Sequence, residues 1–169
     1  MLLNKKSSFV AVGGICSALS VVFLLVASII PAGKLAFVFA SSVIVGMMIC
    51  AYGNKSAIVH YLSVSVLAVL FLPDKPIAIL YAVVVGNYPI IKRYIEHIEL
   101  KWLRAIVKLS AYNLYMLICY ILGSFMLNID FSAKYPIWIL WIGVVCIFAL
   151  YDYIYMTFVY KAYDLINKI

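Results

Sequence analysis

Apolar residues gather in six long runs, at about 8–30, 35–52, 57–72, 76–91, 106–127 and 136–159. Each is close to the ~20 residues that a helix needs to cross a bilayer's hydrocarbon core. The runs are continuously apolar instead of alternating, which excludes the two-sided strands of an outer-membrane barrel. Helix breakers punctuate them: Pro31 and Gly33 after the first, Gly53-Asn54 after the second, Pro73 after the third. Turns of a few residues join most neighbours, so consecutive helices are expected to run antiparallel. The pattern predicts an all-α, polytopic membrane protein, a six-transmembrane-helix bundle in a single domain over 1–169.

Lysine and arginine orient the bundle. Counted by alternate loops, Lys5, Lys6, Lys55, Lys92, Arg93, Lys101, Arg104, Lys108, Lys161 and Lys168 fall on one side, ten in all. Lys34, Lys75 and Lys134, three residues, fall on the other. The positive-inside bias then places both termini and the basic middle loop in the cytoplasm, N-in and C-in. Both ends on one side require an even number of spans.

Composition agrees with this reading. The chain is 68% hydrophobic and 11% charged, whereas soluble domains are about half apolar and about a quarter charged. No length remains for a soluble domain. The net charge of +7 sits in loops between apolar runs and forms no basic arm, so nucleic acid is not an expected partner. Lys5 and Lys6 before the first run resemble the start of a signal peptide. That run is too long for an h-region and lacks an A-x-A site, so it is expected to be retained. Cys16, Cys50, Cys119 and Cys146 lie inside apolar runs without CxxC spacing and read as small hydrophobes.

One polar island interrupts the pattern, IKRYIEHIELKWLRAIVK from Ile91 to Lys108. Tyr94, Ile95, Ile98, Trp102 and Ile106 recur at helical spacing, so its core, about 92–105, reads as an amphipathic helix on the inner surface or as extensions of the flanking helices. It is either a solvated loop with lipid-anchoring bases or a docking surface for a cytoplasmic partner.

No hydrolase triad, phosphate loop or metal cluster is visible, and no catalytic residue, metal or cofactor is expected. The chain is not expected to be an enzyme. Polar groups inside apolar runs are functional candidates, because hydrocarbon makes them costly. His60, Asn87, Lys108, Asn113 and Asp152 form such a set in the cytoplasmic half, where Lys108 and Asp152 are placed to meet as an ion pair between the last two helices. On the outer side, Lys34, Asp74, Lys75 and Asp130 are candidate solute-binding residues, joined by Lys134, Tyr135 and Trp138. Asp74 and Lys75 sit between Pro73 and Pro76, a rigid turn that presents opposite charges or simply keeps the loop wet. Ala11, Gly14 and Ala18, beside Gly13 and Ser17, form a small-residue stripe on the first helix. Such a stripe serves internal packing or the docking of a separate subunit.

The length, the six runs, the N-terminal lysines, the small-residue first helix and the short Pro31-Ala32-Gly33 loop together resemble the substrate-binding S components of energy-coupling-factor (ECF) transporters. The stretch KKSSFVAVGGICSALSVVFLLVASIIPAGKLAF carries the likeness. The resemblance implies a multi-pass protein of the bacterial cytoplasmic membrane that captures a vitamin or similar micronutrient. Its partners would be that small-molecule solute, a transmembrane coupling subunit, two cytoplasmic ATPase subunits and the lipid bilayer. Gly14 and Ala18 match the family's docking motif on helix one. Two other classes fit the same pattern: a non-transporting scaffold like the rod-shape-determining D family, and a lipid-handling scramblase or enzyme.

Overall fold

The computed structural model describes residues 2–30, 33–127 and 137–166. It is all-helical, with 91% of it in helix and no strand among the described residues. In chain order the elements are α1 (Leu2–Ile29), α2 (Lys34–Tyr52), α3 (Asn54–Phe71), α4 (Lys75–Leu80), a π-helical turn (Tyr81–Val85), α5 (Tyr88–Glu96), α6 (Lys101–Leu127) and α7 (Ile137–Ile166). Four helices are long and apolar enough to span a membrane: α1 from Val10, α2, α3, and α7 between Trp141 and Val159. Only 17% of the apolar stretch of α1 is buried inside the protein. Ile15, Val22 and Ile29 on α1 and Leu62, Val66 and Leu70 on α3 stay exposed. Water disfavours such a surface and a bilayer does not, so this is the build of a membrane-embedded protein.

The chain groups into two compact units, Met1–Ile90 with Phe158–Ile169, and Ile91–Thr157. In the first, α2 packs against both α1 and α3. Val45, Met48, Ile49 and Ala57 form its core, with Cys16, Tyr52, Tyr61 and Ile90 packed around them. Gly53 alone separates α2 from α3, at φ 84° and ψ 176°, a conformation that essentially only glycine adopts. The loop signal at Gly53-Asn54 therefore marks a hairpin with a one-residue link.

The run at 76–91 reads in sequence as one helix, but the chain breaks it. Helix α4 ends at Leu80, five residues follow in the π turn, and α5 begins at Tyr88. Two causes act together. Pro89 has no N–H to return to the Val85 carbonyl, which removes one bond from the ladder. The Tyr61 hydroxyl donates to the carbonyl of Ala82 inside the turn. Gly86 lets the Tyr61 ring come close, since a Cβ there would lie 2.9 Å from the Tyr81 carbonyl oxygen and 3.0 Å from two ring carbons of Tyr61.

The island at 92–105 resolves into extensions of its neighbours. Helix α5 continues to Glu96, the chain turns, and α6 starts at Lys101. In the second unit α6 and α7 run antiparallel. Trp141 Nε1 donates to Asn113 Oδ1 at 2.8 Å, and Phe148 lies against Tyr115 and Tyr112, with ring centroids 5.8 and 5.6 Å apart.

Candidate functional site

At one end of the first unit, Lys34 opens α2 and Asp74 precedes α4, and Lys34 Nζ meets Asp74 Oδ2 at 2.8 Å. An aspartate in that position normally accepts from the backbone N–H groups of its own helix. Asp74 makes no such cap and gives its carboxylate to Lys34 instead. Lys75 turns the other way and donates to the Val69 carbonyl at 2.8 Å, satisfying a free carbonyl at the end of α3. The structure thus brings Lys34 and Asp74 together and occupies Lys75 on the backbone. Asp130, with Lys134 and Tyr135, lies outside the described residues.

Deeper in this unit lies a set of hydroxyls that the sequence reading missed. Ser41 on α2 and Tyr81 in the π turn are fully buried, and Ser65 on α3 is 9% exposed. Ser41 lies seven residues from Lys34, Ser65 six from Phe71 and Tyr81 six from Lys75. At 1.5 Å per residue all three sit about 10 Å below the Lys34–Asp74 end. The Tyr81 hydroxyl lies beside Ser41, and Tyr61 lies beside Ser65. The rings of Tyr61 and Tyr81 approach to 6.5 Å between centroids. The buried hydroxyls of Ser41 and Tyr81 thus have each other within hydrogen-bonding reach, and that of Ser65 has Tyr61. Left without a partner, an oxygen of this kind would cost about 1–3 kcal/mol in a dry interior.

Toward the other end of the unit, His60 on α3 is buried between two serines of α1. Ser17 Oγ is 2.9 Å from its Nδ1 and Ser20 Oγ 3.4 Å from its Nε2. This polar tie joins α1 to α3. A cleft of about 260 Å³ opens beside it, lined by Gly13, Gly14, Ser17, Ser56, His60 and Ser63 together with apolar side chains. No charged residue lines it. Ala11, Gly14 and Ala18 are exposed, and a Cβ on Gly14 would meet nothing within 4 Å. Among the described residues, none packs closely on Gly14.

The second unit holds an ion cluster. Lys108 Nζ reaches Asp152 Oδ2 at 3.2 Å, the pair expected between the last two helices. Lys92, only 1% exposed, also bonds Asp152 and lies 4.6 Å from the centre of the Tyr155 ring. Glu96 Oε1 stands 3.8 Å from Lys92 and 3.9 Å from Lys108. Two ammonium groups and two carboxylates balance, tying α5, α6 and α7 together. The sequence reading missed this role for Lys92, which it counted only among the basic residues of the cytoplasmic side. Asn87 and Asn113 donate to carbonyls of their own segments, Val83 at 2.9 Å and Leu109 at 2.8 Å. Among the described residues no group of three His, Cys, Asp or Glu is placed to hold a metal. Comparison of the chain with protein-family models, with curated proteins and with solved structures finds no match.

Proposed function

We propose that this chain is the solute-binding membrane subunit of an ECF-type uptake transporter in a bacterial cytoplasmic membrane. It captures a small micronutrient such as a vitamin at its outer face. It carries out no chemistry of its own, and two cytoplasmic ATPases supply energy through a transmembrane coupling subunit. The observation that carries this reading is the open face of α1. Ser17 and Ser20 turn inward to His60, while Ala11, Gly14 and Ala18 turn outward and are exposed among the described residues. Lipid tails are as apolar as leucine, so close backbone approach drives helix association in a membrane, and small side chains permit it.

In this reading there are six spans, with α4, the π turn and α5 together making the fourth. Lys34 and Lys75 face outward and Lys101 faces the cytoplasm, following the ten-to-three bias of basic residues. Single cysteines at 34 and 75 should react with an impermeant maleimide applied outside, and one at 101 should not. Labelling at 101 from outside would reverse the topology and remove the outer solute site.

Gly14→Leu and Ala18→Leu should abolish both solute uptake and pull-down of ATPase subunits. The purified variants should unfold within about 0.5 kcal/mol of the parent, as exposed positions do. Loss of folding would assign the stripe to internal packing. Capture of cell-shape proteins with no ATPase would favour a scaffold.

A further inference from the structure

We propose that the turn between α5 and α6 is a binding surface for anionic phospholipid, where Arg93, Lys101 and Arg104 hold the headgroup phosphate at the cytoplasmic face. This assignment rests on the six-span topology proposed above and needs neither the solute nor the ATPases.

The segment from Ile91 to Lys108 carries five bases, Lys92, Arg93, Lys101, Arg104 and Lys108, and they divide into two sets. Lys92 and Lys108 are tied to Asp152, with Glu96 Oε1 at 3.8 and 3.9 Å. Arg104 lays Nε and Nη2 on the Ile98 carbonyl at 3.1 and 2.6 Å, which closes the turn. A guanidinium has further N–H donors beyond those two. Arg93 stands in the last turn of α5, and Lys101 is exposed at the start of α6. With Glu96 beside the two lysines, Glu99 is the remaining carboxylate of the turn, so three cations face one anion.

The length of α6 sets the depth of this turn. Its 27 residues measure about 40 Å at 1.5 Å per residue, about 10 Å more than the hydrocarbon core. The polar end, Lys101 to Lys108, accounts for the excess and so lies in the headgroup layer. Tyr94 and Trp102, 59% and 63% exposed, are the ring types that favour that depth. Ile106, Leu109 and Leu114 continue the exposed apolar surface along α6, at the spacing that keeps side chains on one side of a helix. Bases interleaved with large exposed apolar groups suit a lipid surface, which takes the rings at its acyl boundary and the bases on its phosphates. Guanidinium forks match phosphate oxygens. A zwitterionic headgroup brings its own ammonium to compete, so the surface favours a net anionic lipid, the kind that gives the cytoplasmic leaflet its negative potential.

The test titrates the delipidated full-length protein in mild detergent with phosphatidylglycerol or with phosphatidylcholine and counts bound lipid by native mass spectrometry. The parent should bind phosphatidylglycerol about tenfold more tightly than phosphatidylcholine. Arg93→Gln with Lys101→Gln leaves Arg104 to close the turn and should weaken phosphatidylglycerol binding about tenfold or more, at roughly fivefold per base. Lys55→Gln with Lys161→Gln removes the same charge from two other exposed positions and should bind within about twofold of the parent. Equal loss in the two double variants overturns the proposal, since net charge alone then attracts the lipid. Equal affinity for the two lipids overturns it as well. Unchanged lipid binding in the Arg93 and Lys101 variant, with loss of the ATPase pull-down, overturns it in favour of a protein partner. Lipid binding in detergent is read without solute, ATPase or sidedness, so failure of the transporter reading would leave a positive result standing.

Discussion

Asp152→Ala is expected to destabilise the protein by about 3 kcal/mol, a fall of roughly 10 °C in the unfolding midpoint. Asp152 is the hub of the ion cluster, bonded to Lys92 and to Lys108. Lys92 is 1% exposed, so water cannot replace the lost carboxylate. Removing one partner of a buried pair leaves an uncompensated charge, which costs more than the pair contributes. Glu96, 3.8 Å from Lys92, keeps the loss toward the lower end of the usual range. The double variant Lys92→Met with Asp152→Leu should recover most of it, because apolar replacement of a whole buried pair is often neutral. Thermal unfolding in detergent would decide the matter, and an Asp152→Ala variant within 0.5 kcal/mol of the parent, about the noise of a surface change, would mean that the cluster is wet. Asp74→Ala provides the contrast. Lys34 is 40% exposed, and removing the partner of such a pair should cost less than about 1 kcal/mol.

Gly86→Ala should cost about 2 kcal/mol, in the range of overpacked core positions. The new methyl would press on the Tyr81 carbonyl oxygen at 2.9 Å and on the Tyr61 ring at 3.0 Å. The carbonyl is backbone, and the ring is pinned by its hydroxyl on Ala82, so neither yields cheaply. Gly14→Ala is the matched control. It meets open space and should gain about 0.5–1 kcal/mol, because alanine is the better helix former. Equal effects at the two positions would contradict the packing described around the π turn.

Much of this fold is legible in the chain itself. The ends of α1, α2 and α3 fall near Pro31, Gly53 and Pro73, because those residues act locally. The pairing of Lys108 with Asp152 follows from antiparallel neighbours alone. The break at 81–87 carried a signal in Gly86 and Pro89, but its cause includes Tyr61, a residue twenty-one positions away from Ala82. Lys92 escaped for the same reason. A lysine in a basic stretch reads as solvated until a carboxylate sixty positions away closes over it. The hydroxyl layer was the least visible, since three segments must be assembled before it exists. Serines in apolar runs look alike whether or not they turn back on their own helix.

The one-residue link at Gly53 couples two helices mechanically. Consecutive Cα atoms are about 3.8 Å apart, so Tyr52 and Asn54 stay within about 7.5 Å of each other whatever the rest of the bundle does. If α2 tilts in the bilayer, the foot of α3 travels with it. The two helices behave as a single lever hinged at one end, and their far ends, near Lys34 and Phe71, have the greatest freedom to separate. Slack elsewhere in the first unit lies in the interrupted segment from Lys75 to Ile90, whose ladder is already broken. Movement at the Lys34–Asp74 end is thus divided between a stiff arm and a yielding one.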